Sequence, residues 1–144
     1  MIPIVIDASI AIKWVIEEDG SPQSLLLRKR ATLSAPELLI AECANILWKK
    51  VRLNELVADE ARLAARLLQA ASIELVPTRS LLEAATRIAI ALDHPAYDAL
   101  YVALAIERDC PFVTADERLV RKLDMHQRRL AVQAIRLADV ERQL

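Results

Sequence analysis

Four acidic residues stand in apolar surroundings that offer them few counter-charges. Asp7 ends the β-branched run 4–6, and Asp116 follows the apolar run "FVT" in a similar way. Glu42 lies inside "PELLIAECANILWKK", and Asp98 falls at helical spacing on a stripe that is otherwise apolar. A carboxylate on a core-facing stripe is costly unless it is paired or bound to a metal. The four acids are therefore candidate catalytic residues.

A hard divalent cation is the expected partner of such carboxylates. Mg²⁺ prefers oxygen ligands, binds a few carboxylates directly and keeps several waters. It can lower the pKa of a water and stabilise charge on a phosphodiester, so phosphate hydrolysis is the predicted reaction class. Ser9 and Thr114 could hold the carboxylates or waters in place. Because like charges repel, at least one carboxylate is expected to have a raised pKa without metal.

Each acid also has a purely structural explanation. Asp7 or Ser9 could cap the helix that follows, and Asp116 could cap its own helix. Asp98 could be a first-turn acid favoured by the helix dipole. Glu42 could be a border residue paired to a lysine. These alternatives stay open for each residue taken alone.

The histidines and cysteines favour no second metal site. His94 and His126 are too few for zinc binding together with cysteine, and we expect both to be structural. Cys43 and Cys110 lie in apolar segments without a neighbour at metal spacing, so we expect buried, unbridged thiols.

The charge balance is close to neutral, with 19 basic and 20 acidic residues. Without the four candidate ligands, 19 basic residues face 16 acidic ones, a formal balance of +3. Basic residues cluster in three places, each of which can equally be a solvated helix face: residues 28–30, residues 49–52, and Arg118, Arg121, Lys122, Arg128 and Arg129.

The length of 144 residues suits one domain covering residues 1–144. A hydrophobic fraction of 55% and a charged fraction of 27% exclude disorder. Uncharged stretches such as "ALYVALAI" fall far short of the roughly 18 residues that a membrane helix needs, and no basic signal region opens the chain. We expect a cytoplasmic protein with no membrane contact.

Strands and helices alternate along the chain. Strands are predicted at 2–6, 31–36, 72–77, 111–115 and 132–137. Helices are predicted at 8–17, 21–30, 54–71, 79–92, 94–108 and 116–122. A further helix is predicted from the Ser-x-x-Glu capping box at 34–37 to about residue 51.

This alternation, with strands that are apolar on both faces, predicts an α/β fold with a parallel sheet covered on both sides. In such sheets, ligands bind at the carboxyl ends of the strands. Asp7 and Asp116 both follow strands, so we expect them at the same edge of the sheet. The single glycine excludes a G-x-G-x-x-G dinucleotide site.

Four stretches in order, "VIDASIAIKWVIEE", "APELLIAECANIL", "AYDALYVALA" and "FVTADERL", make the chain resemble the PIN-domain ribonucleases of the VapC toxin type. The resemblance implies a three-layer α/β/α fold and an endoribonuclease dependent on Mg²⁺ or Mn²⁺. It implies that the catalytic, metal-binding acids are Asp7, Glu42, Asp98 and Asp116. It places Ser9, Asn45 and Thr114 at supporting positions.

The resemblance also implies partners: an RNA substrate, a cognate antitoxin protein that neutralises the toxin, and a second copy in a homodimer. One departure is Asn54, where a glycine is often seen, although a left-handed cap suits asparagine too. Two other functions remain open. One is a PIN-like module that binds RNA or a partner without cutting. The other is an aspartyl-phosphate phosphohydrolase, which Ser9 disfavours because a second acid is usual there.

Overall fold

A sheet of five parallel strands forms the centre of the computed structural model, which describes all residues from Met1 to Leu144. The strands are β1 (Ile2–Ile6), β2 (Ala31–Pro36), β3 (Glu74–Val76), β4 (Phe112–Thr114) and β5 (Ala134–Arg136). Their order across the sheet is β3-β2-β1-β4-β5. The predicted α/β fold is thus confirmed, including the strand predicted within 132–137, which pairs with β4.

Nine α-helices connect and cover the strands. They are α1 (Ala8–Ala11), α2 (Ser21–Arg30), α3 (Leu38–Arg52), α4 (Ala58–Gln69), α5 (Leu82–Leu92), α6 (Ala96–Glu107), α7 (Glu117–Met125), α8 (Gln127–Leu130) and α9 (Val140–Gln143). Short 3₁₀ turns occupy Ile12–Trp14, Thr78–Leu81 and Leu137–Asp139. No helix is both long and apolar enough to cross a membrane.

The helix predicted at 8–17 is too long. It ends as α-helix at Ala11 and closes with the 3₁₀ turn that reaches Trp14. The Trp14 indole N–H donates to the Ser24 carbonyl at 3.0 Å, which holds this turn against α2. The chain then reverses through Gly20, whose φ of +89° is a conformation that favours glycine.

The capping box predicted to start α3 is wrong. Ser34 lies in the sheet, in register with Val5 of β1 on one side and Glu74 of β3 on the other. Glu37 precedes the helix without any side-chain capping bond. Pairing with two neighbouring strands therefore overrides a local capping signal.

Helix α4 starts at Ala58, four residues later than predicted. Asn54 has a φ of +60°, the left-handed conformation anticipated for it, and so ends the preceding helical segment instead of opening the next. The Glu60 side chain accepts a hydrogen bond of 2.9 Å from the Val57 N–H and thereby caps the start of α4.

The strand order reverses between β1 and β4. From β1 the chain builds outward to β2 and β3, and it then returns to place β4 on the other side of β1. Since parallel crossovers are right-handed, the reversal puts the connecting helices on opposite faces of the sheet. A core of 33 buried residues fills the space around the strands. The carboxyl ends of β1 and β4 form the switch point, where open α/β sheets bind ligands.

Candidate active site

Asp7 lies directly beyond the end of β1, and its residue is only 7% exposed. The Ser9 hydroxyl donates to Asp7 Oδ1 at 2.5 Å, and the Ser9 N–H donates to the same oxygen at 3.1 Å. The Thr114 hydroxyl donates to Asp7 Oδ2 at 2.5 Å. Asp7 is therefore the N-cap of α1, and each of its carboxylate oxygens is held by a hydroxyl.

Two backbone groups after β4 complete this network. The Asp116 N–H donates to Thr114 Oγ1 at 3.1 Å, and the Ala115 N–H donates to Ser9 Oγ at 3.0 Å. Each hydroxyl thus receives a backbone hydrogen bond while it donates to Asp7. The strand ends of β1 and β4 fix the orientation of the carboxylate.

Glu42 lies in the second turn of α3, half-buried, and accepts a hydrogen bond on Oε1 from the Tyr101 hydroxyl of α6. Tyr101 is fully buried. The lysine partner considered for Glu42 is absent, so that structural explanation is wrong. The tyrosine hydroxyl satisfies one oxygen without neutralising the charge.

Asp98 lies in the first turn of α6, with its side chain 33% exposed. Its Oδ2 is 2.7 Å from His94 Nε2. His94 thus contacts a candidate site residue. The sequence predicted a structural role for His94 and did not predict this contact.

Asp116 caps α7, since its Oδ1 accepts a hydrogen bond of 3.1 Å from the Leu119 N–H. Its residue is exposed, so the carboxylate remains open to solvent. Asn45 lies one turn after Glu42 on α3; it is exposed and makes no side-chain hydrogen bond. The structure gives Asn45 no contact with the other candidates.

Burial and neighbouring charges raise the pKa values of Asp7 and Glu42. The pKa of Asp7 is raised to about 6, with burial as the largest cause; the Ser9 and Thr114 hydrogen bonds oppose the rise, and the charges of Asp98 and Glu42 add to it. Burial also raises the pKa of Glu42, opposed by the Tyr101 hydrogen bond and reinforced by Asp98. A raised pKa was expected from mutual repulsion, but loss of hydration is the larger cause.

None of the four carboxylates pairs with a lysine or arginine. Asp7 is therefore a buried acid without a counter-ion. The donors are all carboxylate and hydroxyl oxygens, the chemistry that Mg²⁺ and Mn²⁺ prefer. No three acidic, histidine or cysteine side chains stand close enough to form a ready-made cage. The chemistry of these oxygens fits a hard divalent cation that keeps several waters.

The remaining candidates have structural surroundings. Cys43 and Cys110 are free and buried as expected, and burial raises the pKa of Cys43 to about 12. His126 lies with Nδ1 2.9 Å from the Lys122 carbonyl oxygen, at the end of α7. None of these three side chains forms a hydrogen bond with the four candidate carboxylates.

Comparison with known proteins places this arrangement in a family. The family model described as "PIN domain" matches residues 4–124. The chain belongs to the PIN domain family. The predicted family resemblance is therefore confirmed, and all four candidate acids of this PIN domain fall inside the matched residues.

Relatives of this PIN domain carry ribonuclease names. A VapC ribonuclease of Mycobacterium bovis is 35% identical over 116 residues, which cover 81% of this chain and 87% of the relative. Two solved structures share the fold. PAE2754 from Pyrobaculum aerophilum has a TM-score of 0.71 at 22% identity, covering 99% of this chain and 96% of that one. VapBC2 from Rickettsia felis, bound to a DNA fragment from its promoter, has a TM-score of 0.63 at 13% identity, covering 94% and 98%.

Sequence reasoning missed two residues of this site. Tyr101 was part of an apolar helix pattern, and nothing local shows that its hydroxyl reaches Glu42 on another helix. His94 precedes Asp98 by four residues, and in the helix predicted from residue 94 this spacing would place both side chains on one turn. Helix α6 begins only at Ala96, so the contact forms although His94 lies outside the helix. The spacing was still the available signal.

Proposed function

We propose that this PIN domain protein is a metal-dependent endoribonuclease that hydrolyses RNA phosphodiester bonds and is the toxin component of a toxin–antitoxin pair. The main observation behind the proposal is the buried carboxylate of Asp7. It has no basic partner, and the charges of Glu42 and Asp98 raise its pKa. These acids lie near the point where the strand order reverses. A relative of this chain in Mycobacterium bovis is named a VapC ribonuclease.

Asp7, Glu42, Asp98 and Asp116 would hold Mg²⁺, or Mn²⁺ in its place. The bound cation would supply a water of lowered pKa and neutralise charge on the phosphate. The chain's own contribution is to orient the ligands. Ser9 and Thr114 fix both oxygens of Asp7, and Tyr101 fixes one oxygen of Glu42.

The sequence around Asp7 disfavours it as a covalent nucleophile. Oδ1 of Asp7 accepts two hydrogen bonds from Ser9 and Oδ2 accepts one from Thr114, which fixes the carboxylate and leaves Oδ2 a lone pair for a cation. The residue two positions later is Ser9, where an aspartyl-phosphate enzyme usually has a second acid. Direct attack of water, without a covalent intermediate, is the mechanism that we favour.

The partners proposed are RNA and an antitoxin protein, both met in the cytosol. The structural neighbour from Rickettsia felis is named VapBC2, which supports an antitoxin partner for this chain. We also propose a homodimer. Large apolar side chains that the monomer leaves exposed, such as Leu82 and Ile90 on α5, are suited to cover by a second protein surface.

A module that binds RNA without cutting is the alternative. The observation that favours it is the absence of a ready-made cage of three ligands. RNA cleavage decides between the two. The purified protein is incubated with structured RNA in Mg²⁺, in Mn²⁺ and in EDTA, together with the variants Asp98→Asn and Asp109→Asn.

Asp109 is the matched control because it is exposed just beyond the end of α6, with a φ of +48° that asparagine tolerates. We expect metal-dependent cleavage by the wild type and by Asp109→Asn, and none by Asp98→Asn. Cleavage that persists in EDTA contradicts the proposal. RNA binding without cleavage in both metals supports the binding module instead.

A further inference from the structure

His94 lies between a lysine and a candidate metal ligand. Its Nε2 is 2.7 Å from Asp98 Oδ2, and its Nδ1 is 3.3 Å from Lys122 Nζ. The imidazole therefore bridges α7, which carries Lys122, and the first turn of α6. The proposed mechanism gives this contact no role.

The two partners determine which imidazole nitrogen carries the proton. The Lys122 ammonium can only donate hydrogen bonds, so His94 Nδ1 must be the acceptor and carries no hydrogen. Nε2 then carries the hydrogen and donates it to Asp98. With Lys122 in place, the histidine presents a donor to the carboxylate rather than a lone pair that would repel it.

Lys122 is itself held in position. Its Nζ also donates to the Asp93 carbonyl oxygen at 3.2 Å. Asp93 ends α5 in the left-handed conformation, with a φ of +51°. Lys122 thus connects α7 to the turn between α5 and α6, and the orientation of His94 follows from the packing of three helices.

The contact leaves half of the carboxylate available. His94 occupies Oδ2 of Asp98, while Oδ1 accepts no hydrogen bond within the chain. The Asp98 side chain is 33% exposed and the His94 side chain 22%. One oxygen is fixed by the protein, and the other is open to a ligand.

We propose that His94, held in one tautomer by Lys122, is a positioning residue that orients the Asp98 carboxylate to bind a divalent cation. The inference rests on the proposed function, since it requires Asp98 to be a metal ligand. Partners that hydrogen-bond to ligating carboxylates fix their orientation, and their loss costs about 10–100-fold in metal affinity.

The test is calorimetric titration of the full-length, metal-free protein with Mn²⁺ alone. The variants are His94→Ala, His94→Gln and Lys122→Met, each also combined with Asp98→Asn. The amide nitrogen of glutamine can replace the Nε2 donor. His126→Gln is the matched control, because His126 is the other histidine and its only side-chain hydrogen bond is to the Lys122 carbonyl oxygen, away from Asp98.

We expect His94→Ala to weaken Mn²⁺ binding about 10–100-fold and Lys122→Met to weaken it less. His94→Gln should recover most of the affinity, and His126→Gln should bind as the wild type does. In the Asp98→Asn background, the His94 and Lys122 changes should have no further effect. If His94→Ala does not fold, His94→Gln and Lys122→Met still carry the comparison.

Two results overturn the inference while leaving the metal site intact. One is wild-type affinity in both His94→Ala and Lys122→Met. The other is an equal loss of affinity in the presence and absence of the Asp98 carboxylate, which indicates a general structural role. A wild type that binds no Mn²⁺ overturns the proposed metal chemistry as well, so the two failures are distinguishable.

Discussion

The Thr114 hydroxyl donates a 2.5 Å hydrogen bond to Asp7 Oδ2 and so joins residues 107 positions apart. The bond connects the end of β4 to the end of β1, where the strand order reverses. It satisfies a buried acid without supplying positive charge. The folded protein therefore keeps an uncompensated carboxylate, which a cation can stabilise.

The first prediction concerns Asp7→Asn and pH in the metal-free protein. The pKa of Asp7 rises from 3.8 to about 6 on folding. An acid that binds its proton more tightly in the folded state lowers the free energy of unfolding as the pH rises through its two pKa values. For Asp7, the full loss between low pH and pH 7 is about 3 kcal/mol. The variant lacks this loss, and asparagine keeps the helix cap.

Urea unfolding at pH 4 and pH 7 measures the effect. Relative to the wild type, the free energy of unfolding of Asp7→Asn should be higher at pH 7 than at pH 4 by about 2.4 kcal/mol, because part of the wild-type loss is already present at pH 4. Asp109→Asn should show no such change between the two pH values. A difference between variant and wild type that is the same at both pH values contradicts the burial argument for Asp7.

The second prediction separates two roles of Asp116. The carboxylate caps α7, so Asp116→Ala should lower the free energy of unfolding by about 1 kcal/mol, while Asp116→Asn should keep it. If Asp116 also binds metal, both variants should lose RNA cleavage. Urea unfolding and a cleavage assay on the same samples measure both. Full cleavage by Asp116→Asn leaves Asp116 as a cap only.

The third prediction concerns the Tyr101 hydroxyl. In Tyr101→Phe the ring should stay in the core beside Phe112, whose ring centroid lies 6.2 Å away, but Glu42 loses its donor. We expect a loss of about 1–2 kcal/mol in stability and weaker Mn²⁺ binding. Tyr97→Phe is the control, since Tyr97 is 66% exposed. Unchanged unfolding and Mn²⁺ titration in Tyr101→Phe contradict the role given to this hydroxyl.

Local sequence predicted the strands better than the helix boundaries. The β-branched run before Asp7 and the "FVT" run before Asp116 are short apolar segments, and both form buried strands of the parallel sheet. The predicted start of α3 is wrong because the Ser-x-x-Glu signal begins inside β2. At Ser34, pairing on both sides of the strand outweighs one capping bond.

The site divides in the same way. Ser9 and Thr114 lie next to strand ends, so their proximity to Asp7 follows from a parallel sheet, and the structure shows both hydrogen bonds. Tyr101 and Lys122 act across helices whose packing no local pattern encodes. Sequence spacing therefore finds the four acids and the hydroxyls at the strand ends, and it misses the side chains of Tyr101 and Lys122 that helix packing brings to the site.

The most direct measurement is anomalous diffraction from crystals of the protein grown with Mn²⁺. We predict a peak beyond the carboxyl ends of β1 and β4, within coordination distance of carboxylate oxygens of Asp7 and Asp98. The same peak should be weaker in crystals of Asp98→Asn grown with the same Mn²⁺ concentration. A wild-type crystal with no peak there, or with Mn²⁺ bound only elsewhere, contradicts the proposal that these acids form a metal site.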